Sequence, residues 1–301
     1  MRDCLDQIKR GHLRTILFCW MFWISSLFGS DLPENSADKT GWKLTFQDEF
    51  DRPQLNDMYW FSAYRSGRKE YLKRTGKPSR WTDHNAHYVI ENGILKLRID
   101  EKLPFRPSKT NQCVSCIQTS DHRFGATTSE YQILDKFAQK YGWFEIRCRC
   151  PRGEGLLSAF WLHQHDPTKQ EYAPDGSRRK VGDGVVEIDI IEQQGRHIRD
   201  TSSTVDLNVH FTKDAHYTPA VAEDLSKDFH IWALEWREGH IDWYLDGKVV
   251  KSYEGPTPQE KMFILMALFQ YSGWIGNIDP NLTYPRDFEI DYVRVYSRET
   301  K

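Results

Sequence analysis

Gly184-Val185-Val186-Glu187-Ile188-Asp189-Ile190-Ile191-Glu192-Gln193-Gln194 sets three carboxylates within six residues of a segment otherwise built from Val and Ile. In a strand, Glu187 and Asp189 project from one face while Val186, Ile188 and Ile190 pack on the other. Strict alternation would place residue 191 beside the acids, yet 191 is Ile and 192 is Glu. A single β-bulge after Asp189 repairs the pattern and turns Glu192 to the acidic face. The segments around this one share its character. Ile94–Ile99 after Asn92-Gly93, Trp143–Cys150 and Phe288–Tyr296 are short apolar alternations bounded by turn residues. Ile241–Leu245 and Lys248–Val250 flank Asp246-Gly247, a two-residue hairpin signal. Tyr131–Lys140 is the one stretch that also reads as a helix, with a weak period. The pattern predicts an all-β domain, a decorated two-sheet sandwich over residues 42–301, after a flexible lead-in at 31–41. Residues 165–184, polar and punctuated by Gly and Pro, form the longest stretch without a strand, and a loop of that length in a compact domain is usually functional.

The 301 residues carry 39% hydrophobic and 28% charged side chains, enough apolar material for a full core, which excludes wholesale disorder. Lys+Arg 41 against Asp+Glu 43 gives a net charge of −2, so the basic excess of a nucleic-acid binder is missing. With 11 Trp, 14 Tyr and 16 Phe, aromatics exceed what a core requires, and stacking on sugar rings is one use for the surplus. Lys9, Arg10 and Arg14 precede an apolar run, Thr15–Phe28, closed by Gly29 and Ser30, the form of a secretory signal peptide over residues 1–30. A helix of that run would be about 21 Å long, short of the roughly 30 Å hydrocarbon core. The expectation is a protein that is secreted or periplasmic, monomeric, and without a stable membrane span once the signal is cleaved. Cys113, Cys116, Cys148 and Cys150 then remain. Cys148 and Cys150 point to one face of a strand and are badly placed to pair with each other, so three readings stay open: disulfides to Cys113 or Cys116, a four-thiolate zinc site, or free thiols.

The acidic strand admits an ordinary solvated face, a calcium site built from hard oxygen ligands, or catalysis. Four strand steps separate the Glu187 and Glu192 backbones by about 13 Å, and two Glu side chains leaning together close to about 5–5.5 Å, the spacing of a retaining glycosidase pair. There, one carboxylate attacks the anomeric carbon while the other protonates the leaving oxygen and later activates water. Asp189 between them can hydrogen-bond the nucleophile and help keep the acid protonated. A solvated face gives no reason for Glu at 192 rather than 191, which weighs against that reading.

These residues resemble glycoside hydrolase family 16, whose bulged branch carries Glu-x-Asp-x-x-Glu. The likeness extends to Phe46-Gln-Asp48-Glu49-Phe50 with Leu55–Trp60, to Asn85–Leu95, to Tyr141–Arg147, and to Ser158-Ala-Phe-Trp161-Leu162. It continues through Phe229–Trp236, Tyr244–Gly247 and Phe288–Tyr296, nearly the whole chain after residue 41. The resemblance implies a β-jelly-roll with an open concave cleft that cuts inside β-linked polysaccharides with retention. It implies Glu187 as nucleophile, Asp189 as its helper and Glu192 as general acid/base. Trp161, Asn85, His210 and Trp274 fall where such proteins touch substrate, though Trp161 also reads as core packing and Asn85 and His210 as structural polar groups. No cofactor is required for the chemistry, but a structural calcium at Glu49, the Gly93 carbonyl and Asp291 is implied. The bulged motif resembles that of laminarinases, agarases, porphyranases and carrageenases, and the tail 272–296 looks more like laminarinases. Arg178, Arg179, Lys180, Arg196 and Arg199 near the acidic strand suit sulfate esters, so β-1,3-glucan and algal galactan are rival substrates. A carbohydrate-binding protein without turnover and a transglycosylase are the alternatives on the same fold.

Overall fold

The computed structural model describes residues 39–62, 86–100, 113–124, 131–165, 186–210, 218–221 and 223–299. The outer sheet runs β15 (Lys248–Glu254), β14 (His240–Leu245), β13 (His230–Arg237), β7 (Gly142–Arg149), β17 (Arg286–Arg298), β3 (Ile94–Ile99) and β2 (Tyr88–Glu91), with β1 (Trp42–Asp48) also pairing β17. The inner sheet runs β11 (Asp206–Val209), β9 (Glu187–Gln194), β8 (Leu156–Gln164), β16 (Met262–Gln270) and β4 (Cys113–Gln118). Two small pairs complete the set: β5 (Ser120–Phe124) with β6 (Tyr131–Asp135), and β10 (Ser203–Thr204) with β12 (Ala220–Val221). The strand β6 occupies the first half of the stretch that also read as a helix. Its partner across the ladder supplies hydrogen bonds that a weak helical period could not outweigh. Among the described residues the one helical element is the 3₁₀ turn Gly195–His197.

Alternation becomes a sandwich because both sheets turn their apolar faces to one core. Leu95, Leu97 and Ile99 of β3, Phe144 and Ile146 of β7, and Trp232, Leu234 and Trp236 of β13 meet Phe160 and Leu162 of β8, Ile188 and Ile190 of β9, and Ile264, Met266 and Leu268 of β16. A second apolar cluster covers the opposite face of the inner sheet: Val114, Cys116, Leu157, Ala159, Trp161, Phe263, Leu265, Ala267, Phe269, Tyr271 and Ile275. The two hairpins read from sequence are present. Asn92 and Gly93 have φ of 54° and 74°, and Asp246 and Gly247 have 48° and 75°, so the positive φ of both turn residues matches the twist of the strands they join. The closing strand departs from a plain alternation: β17 shifts register against β7 between Ile290 and Tyr292, placing a bulge at Asp291.

The four cysteines among the described residues are free and buried. Cys116 lies opposite Ala267 on the second cluster, while Cys113, Cys148 and Cys150 face the inter-sheet core. Three and one on opposite faces of a sheet cannot converge on a single ion, so the four-thiolate zinc site is excluded. Burial raises the thiols of Cys116 and Cys148 well above their usual range, and that of Cys113 to about 12. The disulfides favoured by an exported context are not formed, and the thiols act as small apolar core residues.

Candidate active site

The bulge predicted after Asp189 is visible on both neighbours of β9. Along β8, Glu187, Asp189 and Glu192 stand opposite His163, Trp161 and Ala159, with the register shift between Phe160 and Trp161. Along β11, Asp189 and Glu192 stand opposite Asn208 and Asp206, again with a shift. Three residue steps on β9 therefore match two on each partner. Both Ile190 and Ile191 are fully buried in the core, and all three acids emerge on the other face. A bulge disturbs the local ladder, and the indole N–H of Trp243, from the outer sheet, donates to the Asp189 carbonyl at 2.8 Å. A second tie comes from Lys251, which donates to the Leu207 carbonyl at 2.8 Å and lies 4.7 Å over the Trp243 ring. Burial lowers its ammonium to about 8, against the opposing pull of Asp189.

Asp189 is the hub. Its side chain is 2% exposed and lies on the shared face between Glu187 and Glu192. Burial, then the Asp189 charge, pushes the carboxyls of Glu187 and Glu192 well above the usual carboxylate range, and for Glu192 the charges of Glu187 and Asp206 push further. The two ends of this chain differ. Nε2 of His210 is 3.1 Å from Asp189 Oδ2 and 3.6 Å from Glu187 Oε1, and the bond to Asp189 raises the imidazole. Asp206 stands opposite Glu192 instead. The His210 imidazole thus lies at the Glu187 end of the acidic row and Asp206 at the Glu192 end, an asymmetry on which a separation of acid and nucleophile roles can be built.

The remaining expected residues fall out as follows. His210 reaches the carboxylates. Trp161 stands beside Asp189, but it is 6% exposed and packs on Phe269 at 6.0 Å, so it floors the site more than it presents a ring face. Trp274 is 48% exposed on a turn closed by reciprocal Gly273–Gly276 backbone bonds, while its neighbour Ile275 anchors in the second cluster. Asn85 and the basic run 178–180 lie outside the described residues, as does nearly all of the 165–184 loop. Two of the calcium donors are already engaged: both oxygens of Glu49 accept from Arg294 at 2.8 and 2.9 Å, and Asp291 pairs with Arg147. Carboxylates already neutralised by guanidinium groups do not fit a calcium ion. Sequence reading missed His163, Asp206, Asn208 and Gln194. His163 was within reach of it, two residues from Trp161 on the same face, but nothing local marks Asp206.

The description "Glycosyl hydrolases family 16" matches residues 75–294, a span that holds the whole acidic strand and its partners. The chain belongs to glycosyl hydrolase family 16. Among relatives of this family-16 chain, glucan endo-1,3-beta-glucosidase A1 of Niallia circulans is 26% identical over 86% of the chain and 38% of its own length. The chain therefore spans well under half of that relative. Among solved structures, a GlcNAcα1-4Gal releasing endo-β-galactosidase from Clostridium perfringens superposes with a TM-score of 0.67 at 23% identity, covering 89% of this chain and 65% of that one. The catalytic domain of an endo-1,3-beta-glucanase (laminarinase) from Thermotoga petrophila RKU-1 gives 0.62 at 20% identity, covering 86% and 99%. These structures share the fold of the family-16 domain described above.

Proposed function

We propose that the protein is a secreted, retaining endo-glycosidase that hydrolyses internal β-linkages of a polysaccharide by double displacement, with β-1,3-glucan as its first candidate substrate. The observation that carries the mechanism is the placement of Glu187, Asp189 and Glu192 on one face, with Asp189 buried between the two glutamates. In the first step a Glu187 oxygen attacks the anomeric carbon while Glu192 gives its proton to the departing glycosidic oxygen. In the second, Glu192, now a carboxylate, takes a proton from water as the water oxygen attacks the same carbon. Glu187 leaves as a carboxylate and Glu192 is protonated again. His210 offsets the charge of Asp189 and Glu187 between turnovers. Trp161 floors the site, and the exposed Trp274 offers an aromatic face to a sugar ring.

The glucanase relatives favour a β-1,3-glucan, and the endo-β-galactosidase keeps an algal or other galactan as the second reading. Arg199, exposed just after β9, favours a substrate bearing sulfate if the galactan reading holds. The test is reducing-end release by residues 31–301 from laminarin, mixed-linkage glucan, agarose, porphyran and carrageenan, with Glu187→Gln as control. Cleavage of one polymer, lost in the control, supports the reading and names the substrate class. Binding without cleavage moves the function to a carbohydrate-binding module. Longer products formed in the presence of an added oligosaccharide acceptor would identify a transglycosylase.

A further inference from the structure

We propose that Asp206 is a positioning residue that holds the proton on Glu192 between the two half-reactions. The inference rests on the hydrolase reading and adds a residue to it. Asp206 is the cross-strand neighbour of Glu192 on β11, and its carboxylate is fixed by donors on both oxygens: Gln194 Nε2 at 2.9 Å on Oδ2 and Thr218 Oγ1 at 2.6 Å on Oδ1. The orientation of the Gln194 amide is not free. Its Oε1 accepts from Nε of Arg196 at 2.9 Å, and a guanidinium has only donors, so the amide nitrogen must face Asp206. The same Arg196 donates to the Trp274 carbonyl at 2.7 Å, which ties this chain of bonds to the turn carrying the exposed indole.

The other groups facing Glu192 among the described residues leave Asp206 a distinct part. On its own strand lie Asp189 and Glu187, which His210 partly offsets. Across on β8 stand Ala159 and Trp161, which carry no charge. In the turn after β9, the Arg196 guanidinium is spent on Gln194 and Trp274, and burial and Arg196 together hold the His197 imidazole low. Arg199 follows, exposed. Lys251 approaches β11 and Trp243 from the outer sheet. Asp206 is thus the fixed acid in register with Glu192, while the His210 imidazole contacts Glu187 and Asp189. Its charge makes Glu192 harder to ionise while it waits as the acid. In the second step the same charge makes the Glu192 carboxylate a stronger base toward water.

The experiment is the pH dependence of kcat/KM on the polymer that the wild type cleaves, for wild type, Asp206→Asn and Asp206→Glu. Removing a like charge at cross-strand distance moves the alkaline limb, set by loss of the Glu192 proton, down by about one pH unit, with the acid limb in place. Asp206→Glu restores most of the wild-type profile. A folded Asp206→Asn enzyme with an unmoved alkaline limb, even with lower kcat throughout, overturns the proposal and leaves Asp206 a structural residue. If the Asn variant does not fold, Asp206→Ser reads the same limb. A wild type that cleaves no polymer removes the hydrolase reading itself, which distinguishes that failure from a failure of the Asp206 assignment.

Discussion

Deleting Ile190 tests whether the bulge serves the catalytic face or only decorates it. The deletion converts Glu-x-Asp-x-x-Glu into Glu-x-Asp-x-Glu, a regular alternation that keeps all three acids on one face. Its register is already available. Glu187 and Glu192 stand opposite His163 and Ala159, four steps apart on β8, about 13 Å at roughly 3.3 Å per step. After deletion the same two glutamates are four steps apart on β9 as well, so both partner ladders can pair without a shift. What is lost is one of two fully buried isoleucines, and with it packing worth about 2–5 kcal/mol. For a domain of this size that is a fall of about 5–15 °C in Tm, reduced by whatever the regular ladder returns. The contrasting change, Ile190→Glu, drives a carboxyl into the core in the bulged and the regular register alike and costs several kcal/mol more. The assay is Tm by calorimetry together with kcat/KM on the cleaved polymer. The expected result is a less stable ΔIle190 enzyme that keeps activity within about tenfold, and an Ile190→Glu variant that fails to fold or is inactive. A well-folded ΔIle190 protein with no detectable activity would refute the claim that the carboxylates' shared register is what the bulge secures.

Arg196→Met cuts the strut to the Trp274 carbonyl and frees that turn. On a polysaccharide it should raise KM several-fold and leave kcat near wild type, whereas an equal loss in kcat would place Arg196 in the chemistry. Stability should fall as pH rises above about 4.5, because Glu187 and Glu192 bind protons more tightly folded than unfolded. Accordingly Glu192→Gln should gain Tm relative to wild type at pH 7 and gain little at pH 4, and an equal change at both would remove the burial argument. With Glu49 and Asp291 each held by an arginine, excess EGTA should shift Tm by less than about 1 °C. A drop of several degrees restored by calcium would show an ion bound in spite of those pairs.

Much of the molecule was legible because it is local. Period-2 alternation marked β3, β7, β14 and β17, and Asn92-Gly93 and Asp246-Gly247 marked their turns through the backbone conformations that those pairs tolerate. The misplaced Glu192 marked the bulge, since a one-residue shift flips every side chain beyond it and leaves a trace in the pattern. The weak period over 131–140 misled because a strand's stability lies in its partner, here β5, and not in the segment itself. The calcium set could not be checked from sequence, because the arginines that occupy Glu49 and Asp291 lie 245 and 144 residues away.

The sequence by itself determined the strands, the two hairpins and the identity of the three acids, since spacing along one chain settles which side chains share a face. Only the tertiary structure decided that an imidazole sits at the Glu187 end of that acidic row and a further carboxyl at the Glu192 end. His210 and Asp206 reach their places by the pairing of β11 with β9, and Trp274 is linked to Arg196 from 78 residues away. Long-range pairings of this kind leave no periodic signal, because the chain between the partners can be of almost any length at little entropic difference.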